Sequence, residues 1–191
     1  MSGTFEHQPA VSGTAARHTG VVHGTFSLDA TFSAPRRRVF EAFSDLALRQ
    51  QWFRLPGATV DTPHELEFRV GGHELARSTF LETGTREELE YHARFYDIIV
   101  DERIVLTYEV HLNGRLQWIS LLTVEMAGSE NETTRLRWTE QYAFVNPTGD
   151  GQQDVAHLLG GTRLQLTGLK LAVEAGPDSA SAAVAPPSLE H

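Results

Sequence analysis

The sequence predicts a single α+β domain in which a curved antiparallel β-sheet grips a long C-terminal helix around an apolar cavity. Its 191 residues suit one domain with a sizeable core. About six segments in its middle alternate apolar and polar residues between turn signals, as antiparallel strands do. One long amphipathic stretch follows them. An antiparallel sheet must bury one face, and this last helix is the only large element left to cover it.

The N-terminal part of the domain predicts one strand and two short helices. Apolar residues alternate over 25–32, which indicates a half-buried strand. Pro35 then suits the first turn of a helix. Asp45 is typical of a residue that ends this helix and caps a second one, predicted over about 46–51.

The middle of the chain predicts a meander of consecutive strands. Its strongest hairpin signal is Asn113-Gly114, because both central residues of a type I′ turn need positive φ. The candidate strands cover about 64–70, 73–81, 87–100, 103–112, 115–126 and 133–144.

The last helix is predicted from about Asp154 to Glu174 and contains three glycines. Gly160, Gly161 and Gly168 each cost about 1 kcal/mol relative to alanine. That cost indicates either close packing against the sheet or room left for something else. The apolar stripe of the helix consists of Val155, Leu158, Leu159, Thr162, Leu166, Leu169 and Val173.

Two terminal tails flank a predicted domain of residues 22–175. Residues 1–21 and 176–191 are rich in small and polar side chains, which cannot bury enough apolar area to offset their ordering entropy. Both tails are therefore predicted to be disordered. The final Leu189-Glu190-His191 is typical of a purification-tag remnant.

Charge and composition argue against several classes of partner. With 25 acidic and 16 basic side chains the formal net charge is −9, so nucleic acid is not an expected partner. No apolar run approaches the roughly 20 residues that cross a bilayer. The chain has no cysteine, which excludes disulfides and is compatible with the cytoplasm, the location we expect. A monomer or a homodimer is expected, the latter through an exposed edge strand.

Several short segments follow one another along the chain in a characteristic order. They are Phe32-Ser33-Ala34-Pro35, Val39-Phe40-Glu41-Ala42-Phe43, Asp45, Trp52-Phe53, Phe68-Arg69-Val70-Gly71-Gly72, Phe95-Tyr96-Asp97-Ile98, Arg103-Ile104-Val105-Leu106-Thr107-Tyr108, Ser120-Leu121-Leu122-Thr123-Val124, Thr134-Arg135-Leu136, and Gly161 with Leu166 and Leu169. In this order the segments resemble the START-like (SRPBCC, polyketide cyclase/START-like) superfamily. Within it they resemble the activator of heat-shock protein 90 ATPase homologue type. The resemblance covers roughly residues 22–175 and implies the helix-grip fold.

The resemblance also implies a cavity between sheet and helix for apolar or amphipathic small molecules. Proteins of this fold include carriers and sensors, cyclases and aromatases, and chaperone regulators, and the fold alone does not choose among them. Our leading prediction is non-catalytic binding of a hydrophobic or amphipathic small molecule. The alternatives are a cyclase, aromatase or dehydratase acting in the same cavity, and a domain that regulates the ATPase of heat-shock protein 90.

The sequence departs from the family pattern at one position. Family members commonly carry tryptophan after the helix glycine, whereas Gly161 is followed here by Thr162. If Thr162 faces the sheet, the volume of an indole is missing there. Either aromatic residues from elsewhere refill that volume, or the cavity is larger and slightly more polar than usual.

The predicted cavity wall is mostly aromatic. Aromatic side chains with a few polar tips are usual in small-molecule sites, although the same side chains also fill ordinary cores. The predicted wall consists of Trp52, Phe68, Tyr91, Phe95, Tyr108, Trp118, Ser120, Trp138, Leu158, Thr162 and Leu166.

No catalytic constellation is assigned, and the weak candidates for an acid or base are Glu140, His157 and Tyr108. Glu140 lies in phase with apolar neighbours, where a carboxylate needs a partner or a raised pKa. A frayed strand end or a one-residue register error explains the same pattern, and we favour that interpretation. His157 is better explained as a surface or packed histidine. The histidines show no recognised ligand spacing, so no metal and no cofactor is predicted.

Overall fold

The computed structural model describes residues 20–59, 64–82, 84–128 and 133–175, which form eight strands and three helices. The strands are β1 (Val22–Phe32), β2 (Ala58–Thr59), β3 (Glu65–Leu66), β4 (His73–Glu82), β5 (Thr85–Ile99), β6 (Arg103–Leu112), β7 (Arg115–Gly128) and β8 (Thr134–Phe144). The helices are α1 (Arg36–Ser44), α2 (Leu46–Trp52) and α3 (Gln152–Glu174). The two predicted tails lie almost entirely outside the described residues.

All eight strands join one antiparallel sheet in the order β1-β8-β7-β6-β5-β4-β2, with β3 also paired to β4. The first strand therefore pairs with the last, from Val22 opposite Phe144 to Phe32 opposite Thr134. The register shifts once between β5 and β6 and once between β6 and β7, and such bulges bend and twist a sheet. The result is the curved open sheet that the alternating pattern predicted.

Two details of the meander test the strand predictions. The turn between β6 and β7 is the predicted one, with φ of 51° at Asn113 and 72° at Gly114. The strand predicted over 64–70 is wrong in length, because only β3 pairs there. Residues after β3 form a loop instead, in which Gly71 N–H donates to Phe95 O at 2.8 Å. The two-residue β2 was not predicted, because so short a segment shows no alternation.

The two short helices follow β1 as predicted. Pro35 is the N-cap of α1 and not a residue of its first turn. The backbone N–H of Asp45 donates to Glu41 O at 2.8 Å and ends α1. Its side chain then accepts from Leu48 N–H at 2.9 Å and starts α2. One aspartate thus ends the first helix and begins the second.

Only the C-terminal half of α3 is firmly packed. It buries Leu166, Leu169, Ala172 and Val173, whereas Thr162 is the one buried residue of the N-terminal half. The contacts of α3 are chiefly with α2, β1 and α1, and not with the middle strands of the sheet. Within the described ranges, no helix is long and apolar enough to cross a membrane.

Candidate ligand-binding cavity

A cavity of about 990 Å³ lies between the inner face of the sheet and the N-terminal half of α3. Strands β4 to β8 form its floor, and α2 with residues 53–56 forms one side. Its apolar wall consists of Trp52, Phe53, Leu55, Pro56, Phe80, Leu89, Tyr91, Tyr108, Val110, Leu112, Trp118, Leu122, Trp138, Phe144, Leu158 and Leu164.

The aromatic floor follows from strand alternation and cross-strand pairing. Tyr91 and Tyr108 lie on the inner face of adjacent strands, with ring centroids 5.1 Å apart. The ring of Phe53, just after α2, packs against that of Tyr91 with centroids 4.7 Å apart, and the rings of Trp118 and Phe144 lie 5.4 Å apart. Such tilted ring pairs favour each other beyond the area they bury. They give the cavity floor two groups of packed aromatic rings under α3.

The cavity opens to solvent along the N-terminal half of α3. Leu164 lines the cavity and is 74% exposed, and Arg54 and His157 line it as exposed polar residues. Asp154 in the first turn of α3 accepts from Thr148 N–H at 2.6 Å and holds the preceding loop at the rim. The apolar interior therefore has a polar mouth.

The three glycines of α3 differ in whether they allow close packing or leave open space. A Cβ added at Gly168 would lie 3.4 to 3.5 Å from atoms of Trp52, so Gly168 allows α3 to pack closely, but against α2 and not against the sheet. A Cβ at Gly161 would meet nothing within 4 Å, and Gly161 lines the cavity. The neighbouring Gly160 also has open space but does not line the cavity.

Thr162 lines the cavity and is buried. Its hydroxyl donates to Leu158 O of its own helix at 3.0 Å, so it adds little polarity to the wall. The volume that an indole would occupy at this position contributes to the open space.

Glu140 is the centre of a buried polar cluster beneath the cavity. The preference for a register error there was wrong, because Glu140 is fully buried on the inner face of β8. Its carboxylate accepts hydrogen bonds from the Tyr108 hydroxyl, from Ser120 Oγ at 2.7 Å and from Trp138 Nε1 at 3.0 Å. Burial raises the pKa of Glu140 above its usual value, and these three donors oppose that rise only in part.

The three candidate acid–base groups, Glu140, Tyr108 and His157, do not all converge on one point of the cavity. Tyr108 contacts Glu140 and lines the cavity, so it connects the buried carboxylate to the open space. Burial, with the charge of Glu140, raises the pKa of Tyr108 well above its usual value, so its proton is firmly held. His157 lines the cavity from α3 and is exposed, whereas Glu140 does not line it.

A second buried cluster closes the end of the cavity near α2. Arg49 and Glu74 form a two-point ion pair at 2.8 and 2.9 Å, and His64 Nε2 lies 2.7 Å from the same carboxylate. Burial by itself would raise the pKa of Glu74. The positive charge of Arg49 and the hydrogen bonds from His64 and Arg49 outweigh burial and hold that pKa below its usual value. The guanidinium also lies 4.2 Å from the ring centroid of Trp52.

Sequence reasoning did not identify this second cluster as part of the site. Glu74 shares the inner face of β4 with Ala76 and Ser78, so its alternation with buried neighbours was an available signal. Arg49 had no such signal, because an arginine on a short helix is usually exposed. The pairing of Arg49 with Glu74 required the tertiary structure.

The structure gathers seven of the eleven predicted wall residues around the cavity: Trp52, Tyr91, Tyr108, Trp118, Trp138, Leu158 and Thr162. Phe68, Phe95, Ser120 and Leu166 are not among the residues that line it. Phe68 and Phe95 pack on each other with centroids 5.0 Å apart, in the solid part of the core. Ser120 lies beneath the wall on Glu140, and Leu166 belongs to the packed half of α3. Phe53, Phe80 and Phe144 line the cavity and were not predicted.

Metal ligands do not cluster in the part of the chain that the structure describes. No three histidine, aspartate or glutamate side chains there lie close enough to hold an ion. The buried carboxylate of Glu74, which His64 contacts, is already engaged by Arg49.

The fold and the cavity together define a helix-grip protein of the START-like type. A family model described as activator of Hsp90 ATPase homolog 1-like protein matches residues 33–174. The chain belongs to this family. A comparison with curated proteins finds no match.

Solved structures of similar proteins agree with this assignment. A putative uncharacterized protein from Rhizobium leguminosarum is 32% identical, with a TM-score of 0.68 over 81% of this chain and 97% of its own. A protein from Rhizobium loti is 36% identical, with a TM-score of 0.66 over 80% of this chain and 99% of its own. A protein of unknown function from Staphylococcus aureus shares the fold at 15% identity, with a TM-score of 0.61 over 81% and 95% of the two chains.

Proposed function

We propose that this protein binds a hydrophobic or amphipathic small molecule, lipid-like ligands included, in the cavity under α3, without converting it chemically. The observation that carries the proposal is the cavity itself, about 990 Å³ of open space with a mainly apolar wall. Empty apolar volume of this size forfeits packing contacts that a filled core would make. A bound ligand would supply those contacts.

The mouth of the cavity supports an amphipathic ligand. Arg54, Gln51, His157 and Gln165 line it at or near the surface, whereas the floor is aromatic. A ligand with one polar end matches this gradient, because its polar end stays hydrated while its apolar body is buried. We also propose a cytoplasmic location, with which the lack of cysteine is compatible.

Two glycines of α3 give a matched test. Gly161→Leu adds a side chain at a position that lines the cavity, whereas Gly160→Leu adds the same side chain at the neighbouring position, which does not line it. Both changes replace glycine with a better helix former and should leave the fold intact. We expect Gly161→Leu to weaken binding of the fluorescent probe N-phenyl-naphthylamine by about tenfold or more, a steric cost of about 1–3 kcal/mol. Gly160→Leu should bind as the natural protein does.

Native mass spectrometry completes the test. A non-covalent adduct of a few hundred daltons, lost on denaturation and reduced in Gly161→Leu, identifies the ligand class. The proposal is wrong if the probe shows no saturable binding, or if both leucine variants bind it equally well.

A cyclase, aromatase or dehydratase is the second candidate, favoured by the contact between Tyr108 and Glu140. This contact brings a buried carboxyl group next to the cavity wall. Such an enzyme would release a ligand of altered mass, for example one that has lost water. Incubating the extracted ligand with the natural protein and with Glu140→Gln distinguishes the two: an unchanged ligand in both samples supports binding alone.

Regulation of heat-shock protein 90 is a third candidate, supported by the family's description alone. Measuring the ATPase rate of heat-shock protein 90 with and without this protein decides it. A rate that does not change at saturating concentration removes this function.

A further inference from the structure

We infer that two copies of this chain associate through the outer edge of β1, antiparallel and centred on Phe26, so that the sheet continues from one copy into the other. The described residues of β1 do not line the cavity, so this surface is separate from the ligand site and does not depend on the proposed function. The inference follows from the direction of the backbone groups of β1, from what covers them, and from the side chains that a two-fold register brings together.

The two ends of the sheet differ in how they are covered. At one end the short strands β2 and β3 pair with β4. At the other end β1 is the last strand, with 11 residues paired to β8 in one unbroken register. An uncovered edge strand pairs readily with another chain unless proline, lysine, a bulge or a covering element prevents it. Strand β1 contains no proline, no lysine and no bulge, and we call its side away from β8 the open edge.

The odd-numbered residues of β1 direct their backbone groups toward the open edge. Val145, just after β8, donates its N–H to Gln117 O of β7 at 2.9 Å. Because the residues of an antiparallel strand face its two neighbours alternately, the odd-numbered residues of β8 face β7 and the even-numbered ones face β1. Even-numbered residues of β1 lie opposite these, which leaves the odd-numbered ones facing outward. Thr31 agrees, since its carbonyl oxygen accepts from Lys170 Nζ of α3 at 2.6 Å.

The C-terminal end of α3 closes the open edge beyond Asp29. Lys170 donates to Thr31 O there. Glu174 accepts from Ser33 N–H at 2.8 Å. Before that point, no described group hydrogen-bonds the outward N–H and C=O groups of four residues, His23, Thr25, Ser27 and Asp29. These groups offer an uninterrupted row of donors and acceptors to a further strand.

This row is complementary to itself because it is symmetric about Phe26. When Phe26 lies opposite Phe26 of a second copy, Thr25 faces Ser27. In the same register His23 faces Asp29, so no like charges meet. Each of these pairs exchanges both backbone hydrogen bonds, as in an antiparallel ladder. Registers centred on Thr25 or on Ser27 would leave one of the four outward residues unpaired.

The side chains and charges near the open edge favour a second copy as the occupant. Phe26 and Leu28 on the inner face of β1 are only half-buried, and opposing the two Phe26 rings removes more of this apolar area from water. The net charge of −9 does not oppose the contact, because the exposed charged side chains of β1 and β8 are Asp29, Arg135 and Arg137. Two-fold pairing of one surface with itself is also the commonest form of oligomer.

The lack of cysteine makes a cross-linking test specific to the register. In the inferred dimer the two copies of residue 26 lie directly opposite each other, with Cα atoms about 4.5 Å apart, a distance that a disulfide bridges. Phe26→Cys should therefore form a covalent dimer under mild oxidation. Leu28→Cys is the matched control, because it also removes a half-buried apolar side chain but lies about 13 Å from its counterpart.

Analytical ultracentrifugation of the natural protein and two further variants measures the association itself. Thr25→Pro removes an N–H group that faces the open edge, where a strand tolerates proline, and Thr25→Ala keeps that group. The two-fold axis makes the lost hydrogen bond count twice, so Thr25→Pro should weaken association by about ten- to hundredfold. Thr25→Ala should associate as the natural protein does. If circular dichroism shows that Thr25→Pro does not fold, the two cysteine variants still decide.

Each of three results overturns the inference. The first is a natural protein that stays monomeric up to its highest soluble concentration; protection of its β1 amides from hydrogen exchange would then show that another segment of the chain covers the edge. The second is equal association of Thr25→Pro and Thr25→Ala, which places the contact on another surface. The third is equal cross-linking of Phe26→Cys and Leu28→Cys, which contradicts the register. Ligand binding in the cavity is measured separately with the naphthylamine probe, and none of these results changes it.

Discussion

The ion pair between Arg49 and Glu74 is expected to be the most sensitive polar contact in the protein. The perturbation is Arg49→Met, which keeps much of the length of the side chain and removes its charge. Glu74 is 1% exposed in the natural protein, and in the variant it would keep His64 as its one side-chain hydrogen-bond partner among the described residues. Removal of one partner from a buried pair leaves an uncompensated charge, which typically costs about 3–5 kcal/mol.

The structure supplies a matched exposed pair as the control. Arg137 and Asp29 also form a two-point contact, at 2.9 and 3.2 Å, but their side chains are 59% and 68% exposed. Water already solvates both groups, so Arg137→Met should change the free energy of unfolding by less than the measurement error. The two variants thus differ in burial and hardly in geometry.

Urea denaturation at several pH values measures both variants. The pKa of Glu74 is lowered in the folded protein, so its stabilising contribution is present above the usual value of 4.5 and is lost as pH falls through the folded pKa. The deficit of Arg49→Met should therefore be largest near neutral pH and should shrink on acidification. The double variant Arg49→Met/Glu74→Leu should recover much of the loss, since no buried charge remains.

Equal effects of Arg49→Met and Arg137→Met at neutral pH would refute this reasoning. Protonation of Glu74 removes the unpaired charge, so a loss of stability in Arg49→Met that grows as the pH falls would also refute it.

Three further predictions concern the helix, the buried carboxyl group and a tight loop. Gly160→Ala and Gly161→Ala should each raise the free energy of unfolding by up to about 1 kcal/mol in urea denaturation, because neither Cβ meets another atom. Because the pKa of Glu140 is raised in the folded protein, its stabilising contribution is full below pH 4.5 and is lost as pH rises through the folded pKa. The free energy of unfolding of the natural protein should therefore increase relative to that of Glu140→Gln on acidification from pH 7. Parallel pH profiles of the two proteins would contradict this. Gly72→Ala places a Cβ 2.0 Å from Glu67 O, so it should destabilise the protein by about 1–3 kcal/mol, and unchanged stability would show that the loop moves freely.

Much of the fold could be predicted because strand alternation is a local signal. Strand β6 has the predicted bounds, and its turn into β7 follows from Asn113-Gly114, which adopt the positive φ that the pattern required. Asp45 marks the junction of α1 and α2 by local capping chemistry. Strand β2 is too short for any period and was missed.

The candidate site was predictable only in part, because a period shows which face a residue occupies and not what lies opposite it. Phe95 and Tyr91 share the inner face of β5, yet Phe95 packs against Phe68 and only Tyr91 lines the cavity. The same limit applies along α3, where Thr162 borders open space and Leu166, one turn later, is packed. The line of contact depends on where α3 leaves the sheet.

The sequence by itself determined the order of elements, the inner faces of the strands and the length of the last helix, because these depend on neighbours along the chain. Only the tertiary structure decided that α3 packs through its C-terminal half, that a cavity remains beneath its other half, and that Arg49 pairs with Glu74. These features depend on residues far apart in sequence whose separation is set by the curvature of the whole sheet. No local pattern records that distance.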